Sequence, residues 1–192
     1  MIYLCRHGET AFNREGRIQG QMDSSLTGLG RKQARAMADC LAGLIDDPAG
    51  WRIVASPLER TRETAAAIAE RLGLPVELDD RLMEVHVGDW QDLLHKQLLK
   101  AHPELDGDRM WCFRGPGGES YDGMLARIRS WLDEQPEDGK LIVVSHGVAG
   151  RLLRGLYAGL TREAMMALPI PQDAIFGLHA GQIERFECEP AA

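Results

Sequence analysis

The sequence predicts an α/β fold: a three-layer α/β/α arrangement with a mostly parallel, mixed sheet and helices on both faces. Short apolar runs at residues 2–5, 52–55 and 141–144 alternate with longer segments of helical period. The run Leu141-Ile142-Val143-Val144 is continuously apolar, as expected of a parallel strand buried on both faces. Polar groups sit where such runs give way to helices: Arg6-His7, Ser56 to Arg60, and Ser145-His146. Alternation of this kind builds a largely parallel sheet, and the strand ends of such sheets form the ligand crevice.

The elements follow in order. Residues 2–5 read as the first strand. Thr27 is placed to cap a helix whose apolar face is Ala34, Met37, Ala38, Leu41 and Ile45. Residues 52–55 form the second strand. Ser56-Pro57-Leu58-Glu59 then reads as a helix start, with Ser56 as cap, Pro57 at the first helical position and Glu59 closing a capping box. That helix runs to Leu72, with Gly73 beyond it, and residues 75–78 form a third, shorter strand. Residues 80–119 carry Trp90, Trp111, several Gly and Pro, and one helix over 92–101; a long irregular segment of this kind is usually functional or mobile. A helix over 120–134 follows, with Met124, Leu125, Ile128, Trp131 and Leu132 facing inward. After the strand 141–144 comes a helix over 148–157. Residues 174–179 and 182–188 read as a terminal hairpin turning at Ala180-Gly181. Without repeat or linker, residues 1–192 are expected to form one domain, with a variable substrate or lid segment at about 80–119.

Composition narrows the function classes. Of 192 residues, 44% are hydrophobic and 27% charged, as in soluble globular domains. The formal net charge of −7 argues against a broad nucleic-acid surface, so any cationic patch must be local. No apolar stretch reaches membrane-spanning length, and a strand carrying His7 starts directly after Met1, so no signal peptide is expected. Cys5, Cys40, Cys112 and Cys188 show no CxxC spacing, which fits free thiols in a reducing cytoplasm. Cytoplasmic localisation is the expectation.

Arg6-His7, Ser56 to Arg60 and Ser145-His146 converge if their strands are neighbours. Helix N-termini there add backbone N–H groups and a positive dipole end. A phosphoryl group spreads charge over three oxygens, and its transfer needs positioning and electrostatic stabilisation more than anything else. Arginine meets that need with a planar, permanently charged fork. A small-molecule phosphate ester is therefore the expected ligand.

Arg6-His7-Gly8-Glu9-Thr10 followed by Asn13 resembles the signature of the histidine phosphatase superfamily, in its phosphoglycerate-mutase-like branch. The resemblance continues through Gln19-Gly20, Leu26-Thr27-Gly28-Leu29-Gly30, Ser56-Pro57-Leu58-Glu59-Arg60-Thr61, Arg81-Leu82-Met83-Glu84, Gly88-Asp89-Trp90, Pro116-Gly117-Gly118-Glu119-Ser120 and Ser145-His146-Gly147. It implies a phosphomonoesterase acting on a small phosphorylated metabolite without metal or other cofactor. His7 would be the nucleophile that becomes phosphohistidine. Arg6, Arg60 and His146 would hold the phosphoryl oxygens, and Glu84 would be the general acid and base. Asn13, Gln19, Gly20 and Gly147 would complete the substrate site. Two positions depart from the pattern: Asp92 stands where the family usually has Gly, and Ser25 where Pro is common. Asp92 is expected to add an acid near the pocket mouth.

Other readings compete. Phosphohistidine can pass its phosphate to a sugar acid, giving a mutase, although residues 86–114 look short for the enclosing insertions of family mutases. A non-catalytic phosphate-binding or interaction module is a second alternative, disfavoured because His7, Glu84, Arg6, Arg60 and His146 are all present. A metallohydrolase using His7, His146, His86 and Glu84 matches no familiar ligand spacing. No cysteine is followed six residues later by Arg, against a cysteine-dependent phosphatase, and Gly28-Leu29-Gly30 is only a fragment of a dinucleotide loop. Arg109 and Arg114 could meet a second anion. The oligomeric state stays open: Met165, Met166, Leu168 and Ile170 could serve a homodimer interface or a buried turn.

Overall fold

This computed structural model of the protein describes residues 1–190. Its strands are β1 (Ile2–Arg6), β2 (Trp51–Ala55), β3 (Val76–Leu78), β4 (Lys140–Ser145), β5 (Ala174–His179) and β6 (Gln182–Glu187), in one sheet of order β3-β2-β4-β1-β5-β6. The helices are α1 (Ala11–Glu15), α2 (Gly28–Leu44), α3 (Glu59–Leu72), α4 (His95–Ala101), α5 (Tyr121–Asp133), α6 (Gly147–Tyr157) and α7 (Arg162–Ala167). Strands β3, β2, β4 and β1 run parallel, with Ile53 opposite Ile142 and Leu4 opposite Val143. β5 pairs antiparallel with β1, and β6 with β5. Among the described residues, no helix is long and apolar enough to cross a membrane.

The period of two along each strand divides the core into two layers. Tyr3, Cys5, Ile53, Ala55, Ile142 and Val144 pack with Met37, Ala38 and Leu41 of α2 and Ala65 and Ile68 of α3. Leu4, Val54, Leu141 and Val143 face the other way, onto Met124, Ile128 and Trp131 of α5 and Leu152 and Leu153 of α6. The expected three layers and mixed, mainly parallel sheet are thus present. β4 lies inside the sheet between β2 and β1, and Ile142, Val143 and Val144 are wholly shielded from solvent.

Helix starts follow the local chemistry in most places. The Thr27 hydroxyl accepts from the Gly30 N–H at 3.0 Å, and Ser120 from Gly123 at 3.0 Å. The helix α3 differs from the sequence expectation. It begins at Glu59 with Leu58 as cap and no side-chain capping bond. Ser56 lies earlier, and its Oγ is 2.8 Å from His146 Nε2 across the sheet. Glu59 does not close a capping box; its carboxylate accepts from the Ser25 hydroxyl at 3.1 Å and its N–H goes to Asp23 at 2.8 Å. A tertiary partner outbids the local cap.

Two short helices were not anticipated. Thr10 and Asn13 exchange side-chain and backbone bonds in a capping box that starts α1. Thr161 caps α7, which buries Met165 and Met166 within the molecule, so these two belong to the buried-turn alternative. The segment 80–119 holds α4 and four single turns of 3₁₀ helix: Asp80–Leu82, Gly88–Trp90, Pro103–Leu105 and Trp111–Phe113. Gly88 is needed there. It has φ +60°, and a Cβ would stand 1.9 Å from the Pro116 carbonyl oxygen.

Candidate active site

The C-terminal ends of β1, β2 and β4 open on a cavity of about 390 Å³. Arg6, His7, Arg60 and Glu84 line it, as do Asn13, Gln19, Gly20 and Gly147. His146 stands beside it, its ring 5.3 Å from that of His7 and inclined at 60°. All nine residues singled out from the sequence therefore meet in one place.

His7 leaves β1 with its backbone N–H bonded to the Ser145 carbonyl, so the two strand ends are tied at 3.1 Å. Its Nδ1 lies 2.8 Å from the Gly8 carbonyl oxygen. A carbonyl only accepts, so Nδ1 carries the proton and Nε2 keeps the lone pair. Burial lowers the His7 pKa well below the ordinary histidine value, and the charges of Arg6 and Arg60 lower it further, against a smaller opposing effect of the Gly8 bond. The imidazole is neutral at pH 7. Gly8 and Gly30 permit this packing: a Cβ on Gly8 would sit 2.2 Å from the Gly30 carbonyl oxygen. The Gly28-Leu29-Gly30 stretch is thus a close-approach point between the β1 exit and α2.

Arg60 is almost wholly buried on the first turn of α3. Its Nη1 donates to Met22 O at 2.8 Å and its Nη2 to Gly20 O at 2.7 Å. Arg6 donates through Nη1 to the Ile170 carbonyl. The Nε atoms of both arginines are buried and without a partner. Burial, chiefly, brings each guanidinium down to about 10, and both stay charged at neutral pH. Two desolvated, incompletely bonded cations beside a neutral imidazole form an anion site in a chain of net charge −7. His146 Nδ1 is also buried without a partner, while its Nε2 faces Ser56. Burial and the charge of Arg60 lower the His146 pKa well below the usual range.

Glu84 lines the same space. Its carboxylate accepts from the N–H groups of Val85, Val148 and Ala149 at 3.0, 3.1 and 3.1 Å, the last two at the start of α6. A Cβ built on Gly147 would lie 3.6 Å from Glu84 Oε2 and 3.7 Å from Arg6 Nε, which places the carboxylate beside the arginine. Arg127 of α5 fixes the chain around Glu84. It is bidentate to Glu119 at 2.7 and 2.8 Å and donates to the carbonyls of Arg81, Met83 and Glu84.

A profile of the histidine phosphatase superfamily (branch 1) matches residues 2–185. The chain belongs to the histidine phosphatase superfamily. Glucosyl-3-phosphoglycerate phosphatase of Mycolicibacterium vanbaalenii is 35% identical over 190 residues, covering 92% of this chain and 78% of the relative. The probable phosphoglycerate mutase GpmB of Erwinia tasmaniensis is 37% identical over 172 residues, covering 85% and 77%. A solved structure of mycobacterial glucosyl-3-phosphoglycerate phosphatase complexed with VO3 is 32% identical, with TM-score 0.78 over 100% of this chain and 98% of that one.

Several contacts of this histidine phosphatase had no sequence signal. Gln172 Nε2 donates to the His7 carbonyl and to Asn13 Oδ1, each at 3.1 Å. Arg151 donates to Leu168 O at 2.6 Å, Arg154 to Pro169 O at 2.5 Å and Arg6 to Ile170 O, so three consecutive carbonyls of one loop are held by three guanidiniums. Asp92 brings an acid near the mouth, but a paired one. It occupies the left-handed region at φ +69°, where glycine is favoured, and its carboxylate pairs with Arg17 at 3.1 Å. Arg114 does not await a second anion; it pairs with Asp108 at 2.7 Å. His86 Nδ1 accepts from the Gly88 N–H at 3.1 Å. Among the described residues, no group of His, Cys, Asp and Glu is placed to hold a metal.

Proposed function

We propose that this chain is a phosphomonoesterase that hydrolyses a small phosphorylated metabolite through a phosphohistidine on His7. The single observation behind this is the state of His7: buried, neutral, with Nδ1 held by the Gly8 carbonyl and Nε2 free, between two desolvated arginines. Nε2 attacks phosphorus as the P–O bond to the alcohol breaks. Arg6 and Arg60 take the charge that develops on the phosphoryl oxygens. The Ser56 hydroxyl donating to His146 Nε2 leaves Nδ1–H of that neutral ring to donate to a third oxygen. Glu84, as general acid, gives a proton to the departing alkoxide. It then takes a proton from the water that attacks the phosphohistidine; the P–N bond breaks, and inorganic phosphate and neutral His7 result. Asn13, Gln19, Gly20 and Gly147 shape the phosphate end, and residues 80–119 supply the wall that meets the rest of the substrate.

Similarity to glucosyl-3-phosphoglycerate phosphatases supports a phosphorylated small molecule as substrate. The test is hydrolysis of a panel of sugar phosphates, phosphoglycerates, nucleotides and phosphoamino acids by the wild type and His7→Ala. Release of inorganic phosphate that the variant loses entirely supports the reading. Retained turnover in His7→Ala refutes it, and transfer to a second alcohol instead of water makes the protein a mutase.

A further inference from the structure

Beyond Arg6, Arg60 and Glu84, the cavity has a largely apolar end. Ile18, Val87, Trp111 and Val148 form much of its wall. His95 closes the rim and packs edge-on against the Trp111 ring, with centroids 5.0 Å apart at 61°. One cation lines this end, Arg17, and it is committed to two carboxylates: its Nε to Glu15 at 2.8 Å and its Nη1 to Asp92 Oδ1 at 3.1 Å. The Arg17, Glu15 and Asp92 group carries a formal charge of −1. Of the arginines nearby, Arg114 pairs with Asp108 and Arg151 donates to the Leu168 carbonyl, while Arg109 stands exposed near Arg151.

We propose that this end is a subsite for an uncharged alcohol with a flat or apolar face, and that it disfavours alcohols bearing a carboxylate. The proposal rests on the phosphomonoesterase reading for which end of the cavity holds the phosphate. An apolar group gains by leaving water for Ile18, Val87 and Trp111. A carboxylate there would be desolvated against an apolar wall, and would face the excess negative charge at Arg17. The subsite thus separates this chain from an enzyme built for glycerate-type leaving groups.

A matched pair of esters isolates the effect: 2-phenylethyl phosphate and 2-carboxyethyl phosphate, both with primary alkoxide leaving groups. The phenyl ester should show at least tenfold higher kcat/KM. Trp111→Ala should collapse that ratio to about threefold or less. Asp92→Gly, compatible with φ +69°, removes one of the two carboxylates on Arg17 and should raise kcat/KM for the carboxylate ester severalfold, leaving the phenyl ester unchanged. Equal or reversed preference in the wild type overturns the subsite. Calorimetric affinities for the inert analogues 3-phenylpropylphosphonate and 3-carboxypropylphosphonate give the same ranking without turnover: tighter binding of the phenyl compound supports the subsite, and tighter binding of the acid overturns it. Failure of both esters to turn over would count against the hydrolase reading alone.

Discussion

Stability should fall on mild acidification because of His7 and His146. Both residues are buried, and burial together with Arg6 and Arg60 depresses both pKa values well below 6.5. The folded protein keeps both neutral, whereas the unfolded chain protonates them as pH drops below about 6.5. The unfolded state then binds more protons, so stability is complete above that pH and is lost as pH falls. Between pH 6.5 and 5.5, integrating the linkage relation gives about 1 kcal/mol per histidine, or about 2 kcal/mol for the pair. For a chain of 192 residues, this corresponds to a Tm lower by roughly 4–8 °C. Urea unfolding at the two pH values, on wild type and the His7→Gln/His146→Gln double variant, measures it. The double variant should lose most of the pH dependence over this interval. An equal dependence in both proteins would mean that the histidines charge within the folded state, and the account of a neutral nucleophile would fail.

Glu84→Gln should reduce hydrolysis of alkyl phosphates about a hundred- to ten-thousand-fold, while aryl phosphates, whose leaving groups need no proton, lose far less; equal small losses on both in steady-state assays would remove Glu84 from proton transfer. Activity should survive exhaustive chelation, because Arg6 and Arg60 supply the positive charge that a metal would otherwise bring; loss restored by one divalent ion in an add-back assay would contradict this. Gly88→Ala should destabilise the protein by about 3 kcal/mol, since the new methyl meets the Pro116 carbonyl at 1.9 Å in a left-handed conformation; an unchanged urea midpoint would show that the 3₁₀ turn over residues 88–90 is free to move.

The sequence was legible where local chemistry and packing agree. β1 and β4 are continuous apolar runs because both faces of the sheet are covered, and Arg6, His7 and His146 follow directly from their ends. Thr27 and Ser120 cap the helices they precede. Legibility failed where a partner lies far along the chain. Ser56 looks like a helix cap, but its hydroxyl is used by His146, 90 residues away. Gln172 reaches His7 and Asn13 from 165 and 159 residues away, and no local pattern marks a lone glutamine as a site residue. That Asp92 is paired with Arg17 and held at positive φ was not legible, because both are set by the tertiary structure. The helix α1, five residues long, has too few residues to show a period, and only the Thr10–Asn13 capping pair could have marked it.

The most direct measurement is the site of covalent phosphate during turnover. A phosphate ester labelled at phosphorus, mixed with enzyme and quenched in alkali within milliseconds, should leave acid-labile label on the peptide containing His7. Mass spectrometry should place the added phosphate on that imidazole, and none should appear in His7→Ala. Label on His146, Ser56 or any cysteine, or a full burst of product with no labelled protein, would contradict the account.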